Sequence, residues 1–242
     1  MSVIVQNGMP DPPRVALCVI ATGKYRDFMP RLVRSARQFF LPSCLVTYVA
    51  LTEWHPPPDL FQVHHRVPAK PWPGPTLYRY RWMLEIREYL ERHDYVFYVD
   101  VDAAFADVVG EEILGTLVAV QHQGFVGVGP DDLGYERRGA SAACVPKGFG
   151  YRYYAGGFQG GRATEYMRAC KALDAQIARD EQKGVTAAWH DESHWNRHLV
   201  DWDPERSPLR VLPPIYCCDE IDRLPGARIL ALRKDHDRVR AH

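Results

Sequence analysis

The chain has little that would hold it in a membrane or attract nucleic acid. Its 242 residues include no apolar run that approaches the roughly 20 residues needed to span a bilayer. The N-terminal segment has prolines at positions 10, 12 and 13 instead of the charged and then apolar parts of a secretion signal. The 30 basic side chains equal the 30 acidic ones, so no net charge would draw a polyanion. We therefore expect no transmembrane segment and no nucleic-acid partner.

The cysteine spacing excludes one further kind of site. The six cysteines include no Cys-x-x-Cys pair, so the sequence does not support a structural zinc site. Several of them lie in apolar runs, where cysteine usually acts as a small core residue. This usage is typical of a soluble protein in a reducing, cytoplasmic setting.

Apolar runs that alternate with helical patterns predict an α/β domain with a largely parallel sheet. Continuous apolar runs predict buried strands at 15–21, 45–51, 95–99 and 117–121. Apolar residues at helical spacing predict helices at about 28–40, 77–92 and 164–183, and another that begins near residue 191. The proline-rich segment 54–76 is predicted to be an irregular connection.

Two acidic residues directly follow the predicted strand at 95–99. Asp100 and Asp102 are separated by Val101, so both carboxylates can point the same way if the backbone stays extended. Ligands of open α/β sheets bind beyond the carboxyl ends of the strands. Carboxylate oxygens suit a hard ion such as Mn²⁺ or Mg²⁺ that can also bind a diphosphate. The alternative interpretation is a solvated acidic turn at the end of a strand.

A second group of polar residues spans 189–196, with the sequence Trp-His-Asp-Glu-Ser-His-Trp-Asn. Asp191 and Glu192 fall where a helix N-terminus would favour ionised carboxylates. His190 and His194 are four residues apart, as in zinc proteases, but that motif needs Glu directly after the first His and Asp191 stands there. The zinc protease interpretation is therefore disfavoured. A polar helix start with an Asp cap is the remaining alternative to a functional site.

A glycine-rich segment at 153–161 is the third candidate. Its four glycines would let the backbone pass close to a ligand or adopt positive φ angles. The spacing does not match the phosphate-binding loop of a Rossmann fold. A tight turn before the following helix explains the glycines equally well.

Taken together, these segments resemble glycosyltransferase family 6, the blood-group transferase type, including its shorter, soluble bacterial or phage-like members. The resemblance runs from residue 15 to residue 240. It is carried by landmarks in family order: Ala21-Thr22-Gly23-Lys24-Tyr25, Trp72-Pro73, Asp100-Val101-Asp102, His122, Tyr135-Glu136-Arg137-Arg138, Tyr153 to Gly161, Trp189 to Asn196, Pro214-Ile215-Tyr216 and Lys234-Asp235-His236.

The resemblance implies a fold and a reaction. It implies a single GT-A domain with a donor-binding half at about 14–110, an acceptor-binding and catalytic half at about 111–232 and a mobile tail at about 233–242. The implied reaction is transfer of a sugar from a UDP-sugar donor, in α-1,3 linkage and with retention of the anomeric configuration, to a galactose-containing oligosaccharide acceptor. Asp100 and Asp102 would flank a Mn²⁺ ion, or Mg²⁺, that ties the diphosphate to the protein.

By similarity, Glu192 is the catalytic carboxylate beneath the anomeric carbon, as a nucleophile or as an electrostatic stabiliser. Arg79 matches a donor-sugar contact, although a solvent-facing helix residue is an alternative interpretation. Lys234 and Arg240 match basic residues of a tail that closes over the diphosphate; a solvated basic tail is the alternative. The other matching donor positions are Ile20, Ala21, Tyr25, Val101 and Asp191.

The same resemblance predicts specificity. Ala155, Gly156 and Gly157 match the residues that sort donors, and a glycine at the third place predicts UDP-GalNAc, with UDP-Gal as the alternative. The residues that match acceptor contacts, to a β-galactoside that we expect to be fucosylated, are His122, Trp189, Glu192 and Asp219.

Two other functions remain open at the level of sequence. A metal-dependent hydrolase could use Asp100, Asp102, His190 and Glu192 on water. A catalytically dead sugar-binding module on the same scaffold would bind ligands without giving product. The intact acidic residues favour the transferase over the binding module.

Overall fold

The computed structural model describes residues 11–202 and 207–240. The four apolar runs predicted as buried strands all form strands of the central sheet, whose two faces are both covered by packed side chains. The elements of the first half are β1 (Arg14–Ile20), α1 (Met29–Phe39), β2 (Leu45–Thr52), β3 (Val63–Arg66), α2 (Gly74–Leu77), α3 (Arg79–Glu85), α4 (Arg87–Leu90), β4 (Tyr95–Val99) and β5 (Ala103–Phe105).

The second half contains the elements β6 (Leu117–Gln121), β7 (Tyr154–Arg162), α5 (Ala163–Gln182), α6 (His190–Val200), β8 (Leu209–Leu212), β9 (Cys218–Asp219), β10 (Ile229–Ala231) and α7 (His236–Arg240). Short 3₁₀ turns at Gly23–Phe28, Glu111–Ile113, Gln123–Phe125 and Pro214–Tyr216 connect these elements. No helix in the part of the chain that the structure describes is long and apolar enough to cross a membrane.

The central sheet has seven strands in the order β3-β2-β1-β4-β7-β6-β8. Strands β1 to β4 are parallel neighbours, β7 runs antiparallel to both β4 and β6, and β8 is parallel to β6. The chain therefore leaves β1 towards β2 on one side and returns to β4 on the other, which creates a crevice at the carboxyl ends of these strands. The predicted class, α/β with a largely parallel central sheet of the GT-A type, is confirmed.

Residues of β1 alternate between two buried cores. Val15, Leu17 and Val19 face the core that includes α1, whereas Ala16 and Cys18 face the core formed with α3, α5 and α6. Burial on both faces explains why the strand reads as an unbroken apolar run. All six cysteines are unpaired thiols.

A second sheet of three strands, in the order β5-β10-β9, connects the tail with the acid pair, Asp100 and Asp102. Strand β10 pairs antiparallel with β5, which begins one residue after Asp102. The N–H of Leu232 donates to the Asp102 carbonyl oxygen at 2.8 Å. The tail therefore leaves this sheet directly beside the acid pair.

Two predictions for the first half need correction. The helix predicted at about 77–92 is α3 and α4, which are separated at Ile86, where φ is −112° and ψ is 21°, and the short helix α2 lies mainly in the segment predicted to be irregular. Apolar spacing summed over many residues does not reveal an interruption at one residue. The segment predicted to be irregular contains the edge strand β3, whose pairing with β2 is a tertiary contact that its half-buried residues did not signal.

The glycine-rich segment is neither a tight turn nor a flexible loop, because it forms most of strand β7. A Cβ on Gly160 would lie 2.4 Å from the carbonyl oxygen of Val96, and one on Gly161 would lie 2.4 Å from that of Thr116. These glycines are therefore required for close approach of neighbouring strands. Of the glycines in β7, Gly161 alone has a positive φ, 148°.

Candidate active site

The acid pair lies at the carboxyl end of β4, as predicted from the sequence. The Asp100 N–H donates to the Gly157 carbonyl oxygen at 2.9 Å, which extends the pairing of β4 with β7 past the end of the strand. Asp100 Oδ1 accepts hydrogen bonds from the Tyr98 hydroxyl at 2.7 Å and from Arg79 Nη2 at 2.9 Å. Asp102 is largely buried and forms an ion pair with Lys234 of the tail.

Arg79 is the charged centre of the site. It is 3% exposed, so the interpretation as a solvent-facing helix residue is wrong. Its Nη1 atom donates to the Gly156 carbonyl oxygen at 2.7 Å and lies 2.9 Å from Asp191 Oδ2, while Nη2 binds Asp100. The planar guanidinium can form this fork of contacts, which an ammonium group cannot reproduce. Arg79 therefore joins the end of β4 to the start of α6.

Helix α6 brings two carboxylates to the other side of the site. His190 has a φ of 53°, so the chain turns sharply just before Asp191 and Glu192 enter the first turn of the helix. Glu192 Oε2 accepts a 2.7 Å hydrogen bond from the Gly156 N–H. Asp191 is almost completely buried against Arg79.

Burial dominates the ionisation of both carboxyl groups. It raises the pKa of Asp191 to about 6, although the neighbouring Arg79 lowers the pKa and Asp100 raises it. Burial likewise raises the pKa of Glu192 to about 7, against the lowering effects of the Gly156 N–H and of Tyr153. Perturbed carboxyl groups in a cleft are typical of functional sites. Glu192 thus changes its charge near neutral pH.

Two open cavities of about 390 and 380 Å³ meet at Asp100. The first contains Asp102 and Lys234, and the second contains His122 and Glu192. The residues that line both cavities are Asp100, Gly157, Cys217, Asp219 and Ala231. A ligand that fills both would pass Asp100 and Gly157.

A third hollow lies between β1 and β4, at the crevice predicted by the sheet topology. It is lined by Ile20, Tyr25, Arg79, Val101 and the acid pair, as well as by Lys234. The Lys234 ammonium lies 5.4 Å from the centre of the Tyr25 ring. A further cavity of about 350 Å³ continues past Tyr25 to Lys24 and Trp72.

Most residues predicted for the donor lie together around these cavities. Ala155 lines the cavity of Glu192, and Gly156 contacts the Glu192 side chain. Ala21 is 1% exposed and lines none of the cavities given above. Arg240 ends α7, but its side chain lies outside the described part of the structure.

The predicted acceptor residues are less tightly grouped. His122 and Asp219 line the cavity of Glu192. His122 Nδ1 accepts from the Gly124 N–H at 3.1 Å, and burial lowers the pKa of this histidine. Trp189 is 56% exposed and does not line that cavity, so the structure does not bring its side chain into the described site.

The acid pair offers carboxylate oxygens as possible metal ligands. Among residues 11–202 and 207–240, no group of three or more His, Cys, Asp or Glu side chains is arranged to hold a metal ion. Two carboxylates beside one cavity still fit Mn²⁺ or Mg²⁺, which often bind through one or two carboxylates with substrate phosphates as further ligands. Asp100 and Asp102 are the residues that would hold it.

Several polar contacts of the site were missed at the level of sequence. Cys217 lies between the two cavities, Tyr98 binds Asp100, and the buried amides of Gln159 and Asn196 bind the backbone of β7. Asn196 belongs to the polar segment 189–196, which was a usable signal. Gln159 lies in the glycine-rich segment 153–161, which was also a candidate, whereas Tyr98 and Cys217 gave no signal because their roles depend on tertiary contacts.

The comparisons with known proteins agree with this geometry. The family model described as glycosyltransferase family 6 matches residues 10–241. The chain is 33% identical over 245 residues to the histo-blood group ABO system transferase 1 of Rattus norvegicus, across 93% of this chain and 68% of the relative. It is 34% identical over 228 residues to the globoside alpha-1,3-N-acetylgalactosaminyltransferase 1 of Gallus gallus, across 90% of this chain and 64% of the relative. The chain therefore spans about two thirds of the length of these relatives. The family match covers nearly the whole chain and agrees with the α/β fold and the two carboxylate-lined cavities. The chain therefore belongs to glycosyltransferase family 6 and is a glycosyltransferase.

Proposed function

We propose that the chain transfers GalNAc from UDP-GalNAc, in α-1,3 linkage and with retention, to a β-galactoside acceptor that carries fucose. The observation that carries this proposal is that the Gly156–Gly157 segment lies between the carboxylates of Glu192 and Asp100. Glu192 binds the Gly156 N–H, and a Cβ on Gly157 would lie 3.1 Å from Asp100 Oδ2. A reacting sugar placed along this segment would have the acid pair on one side and Glu192 on the other.

The proposed donor lies along the crevice between β1 and β4. Ile20 and Tyr25 would hold the uridine, since they line the hollow that leads to the acid pair. Asp100 and Asp102 would hold Mn²⁺, or Mg²⁺, which supplies positive charge to the leaving diphosphate when bound. Lys234, now paired with Asp102, is placed to contact the same phosphates.

Glu192 is the proposed catalytic residue. A retaining transfer builds positive charge at the anomeric carbon, and an ionised carboxylate close to that carbon stabilises it or attacks it. The Gly156 N–H fixes one oxygen of Glu192 at 2.7 Å, which orients the side chain before substrate arrives. Asp191 and Arg79, buried against each other, would contact the sugar hydroxyls.

The preference for GalNAc is supported by the space at Gly157. A Cβ there would lie 3.1 Å from both Asp100 Oδ2 and Cys217 Sγ, so even alanine would crowd the wall shared by the two cavities. Glycine leaves room for the N-acetyl group beside this wall. The Gallus gallus relative is itself named an alpha-1,3-N-acetylgalactosaminyltransferase. UDP-Gal remains the alternative donor.

The proposed acceptor enters the cavity of Glu192. His122 and Asp219 line this cavity and can bind galactose hydroxyls. The bond from the Gly124 N–H to Nδ1 leaves Nε2 of a neutral His122 as the donor. Trp189 stands exposed one residue before the turn at His190, where its face could stack on a sugar that projects from the cavity.

A product assay tests the proposal. The chain is incubated with UDP-GalNAc or UDP-Gal, with and without Mn²⁺, and with and without a fucosylated galactoside. We expect product from UDP-GalNAc that needs both metal and acceptor. Equal donor consumption without acceptor would instead indicate the metal-dependent hydrolase. Donor binding without any product would indicate the sugar-binding module.

A further inference from the structure

Strand β7 loses its pairing with β6 in the middle of the site. Residues Tyr154 and Ala155 pair with the end of β6, and pairing resumes only at Gln159. The intervening Gly156, Gly157 and Phe158 leave β6, while Phe158 and the Gly157 carbonyl group still bind β4. Such a bulge redirects backbone groups that a regular strand would use in the sheet.

The N–H and carbonyl groups of Gly156, which do not pair with β6, contact charged side chains of the site. The N–H of Gly156 donates to Glu192 Oε2 at 2.7 Å. Its carbonyl oxygen accepts from Arg79 Nη1 at 2.7 Å and from Gln159 Nε2 at 3.1 Å. The position of Glu192 therefore depends on where the bulge lies relative to α6.

Asn196 binds the start of this bulge to α6. It is completely buried, one helical turn after Glu192. Its Oδ1 atom accepts from the Tyr154 N–H at 2.8 Å, and its Nδ2 atom donates to the Tyr154 carbonyl oxygen at 2.8 Å. The same Nδ2 atom donates to the carbonyl oxygen of Glu192 at 2.9 Å. One side chain thus connects the backbone before Ala155 with the backbone of Glu192.

We propose that Asn196 is a positioning residue that sets the distance between Glu192 and the 155–157 segment, and so controls both turnover and the choice between donor sugars. The donor part of this inference rests on the proposed function. A primary amide offers one acceptor oxygen and two donor hydrogens, and all three are used. An aspartate of the same shape would present an oxygen to two carbonyl oxygens and would lose both donor bonds.

The test uses Asn196→Ala and Asn196→Asp in the full chain. Each should lower kcat at least about tenfold, because small errors in placement cost up to about 100-fold in rate. Each should also bring the ratio of kcat/KM for UDP-GalNAc and UDP-Gal closer to one, by about fivefold or more. A ratio is independent of how much enzyme is folded, so a loss of stability alone would leave it unchanged.

His198→Ala is the matched control, since His198 lies on the same helix and stacks near Trp195 and Trp202, away from the cavities. Its donor ratio should equal that of the unmodified protein. An Asn196→Ala enzyme with an unchanged ratio and unchanged kcat would overturn the proposal.

Amide hydrogen exchange on the unmodified protein provides a second test that needs neither variants nor substrate. The Tyr154 N–H should exchange far more slowly than the Gly150 N–H in the preceding loop, because it is bonded to a buried amide. Exchange at the rate of that loop would overturn the anchoring role, whatever the donor assay gives. If neither donor were used but Tyr154 were protected, the proposed function alone would fail.

Discussion

Arg79 Nη1 lies 2.9 Å from Asp191 Oδ2, and both side chains are almost completely buried. Such a pair costs much desolvation energy, so it is weak support for stability by itself. It holds two separate parts of the site in register, because the same guanidinium also binds Asp100. Its importance for activity can be tested separately from its importance for folding.

We predict that Arg79→Lys lowers kcat/KM by about 100-fold, since an ammonium group cannot contact Asp100, Asp191 and the Gly156 carbonyl group together. Steady-state kinetics with the donor varied would measure this. Arg87→Lys is the control, because Arg87 is an exposed arginine of α4 paired with Glu91. A fall of less than about threefold, similar to the control, would remove Arg79 from the site.

We predict that Glu192→Gln lowers kcat by at least about 100-fold, because the amide keeps an acceptor for the Gly156 N–H but loses the charge. In the unmodified enzyme, kcat/KM should fall as pH drops below about 7, where the carboxylate of raised pKa takes up its proton. Steady-state kinetics at saturating donor measure kcat of the variant, and a pH profile of kcat/KM measures the ionisation in the unmodified enzyme. A residual loss below tenfold would contradict the catalytic role of Glu192.

The same group predicts a pH-dependent effect on stability. The folded-state pKa of Glu192 is raised from 4.5 to about 7, so the folded state holds the proton more tightly than the unfolded chain. Its stabilising contribution is complete below about pH 4.5 and is lost as pH rises through about 7. Glu192→Gln should therefore be more stable than the unmodified protein at pH 8, by about 3 kcal/mol, with the difference shrinking towards pH 5. Urea unfolding at both pH values checks the sign; a variant less stable at pH 8 would contradict it.

Metal dependence is tested at Asp102. Chelator should abolish transfer and Mn²⁺ should restore it, and Asp102→Asn should weaken the apparent Mn²⁺ affinity at least about tenfold, since loss of an outer partner alone costs 10- to 100-fold. Titration of activity against Mn²⁺ gives the affinity. Asp107→Asn is the control, because Asp107 is exposed and binds only its neighbour's N–H among the contacts described. Full activity in chelator would end the metal proposal.

Gly157→Ala should reduce the use of UDP-GalNAc more than that of UDP-Gal. The new methyl group would meet Asp100 Oδ2 and Cys217 Sγ at 3.1 Å and take space from the donor's N-acetyl group. Separate kcat/KM values for the two donors measure the change. Gly129→Ala is the control, since a Cβ there meets nothing within 4 Å. An equal loss with both donors would show that Gly157 does not select between them.

Much of the fold was predictable because its central strands are buried on both faces. Strands β4 and β6 match their predictions, since an unbroken apolar run between polar residues has clear ends. Strand β7 could not be recognised in the same way. Its glycines are needed because β4 and β6 both lie close to its backbone. This requirement comes from contacts among three strands, so no local sequence pattern reveals it.

Residues of the candidate site could be predicted where acidic side chains directly follow a strand or begin a helix. Asp100 and Glu192 met these conditions, and family resemblance added Arg79 and Lys234. The sequence could not show that Asn196 and Gln159 bind the backbone of the 154–156 segment, because buried amides occur for many structural reasons. The family resemblance also predicted one residue whose side chain lies outside the cavity of Glu192. Trp189 is exposed, which shows that a matching motif does not fix the orientation of a side chain.

The bulge in β7 has a consequence for insertions and deletions. The strand pairs with β4 from Phe158 onwards and with β6 from Gln159 onwards, while Tyr154 and Ala155 bind β6 before the interruption. Removing or adding one residue between these two paired parts of β7 would shift the register of one part by one residue. Its core side chains would then face the opposite side of the sheet. Engineering of donor preference in this enzyme should therefore exchange side chains here and leave the number of residues unchanged.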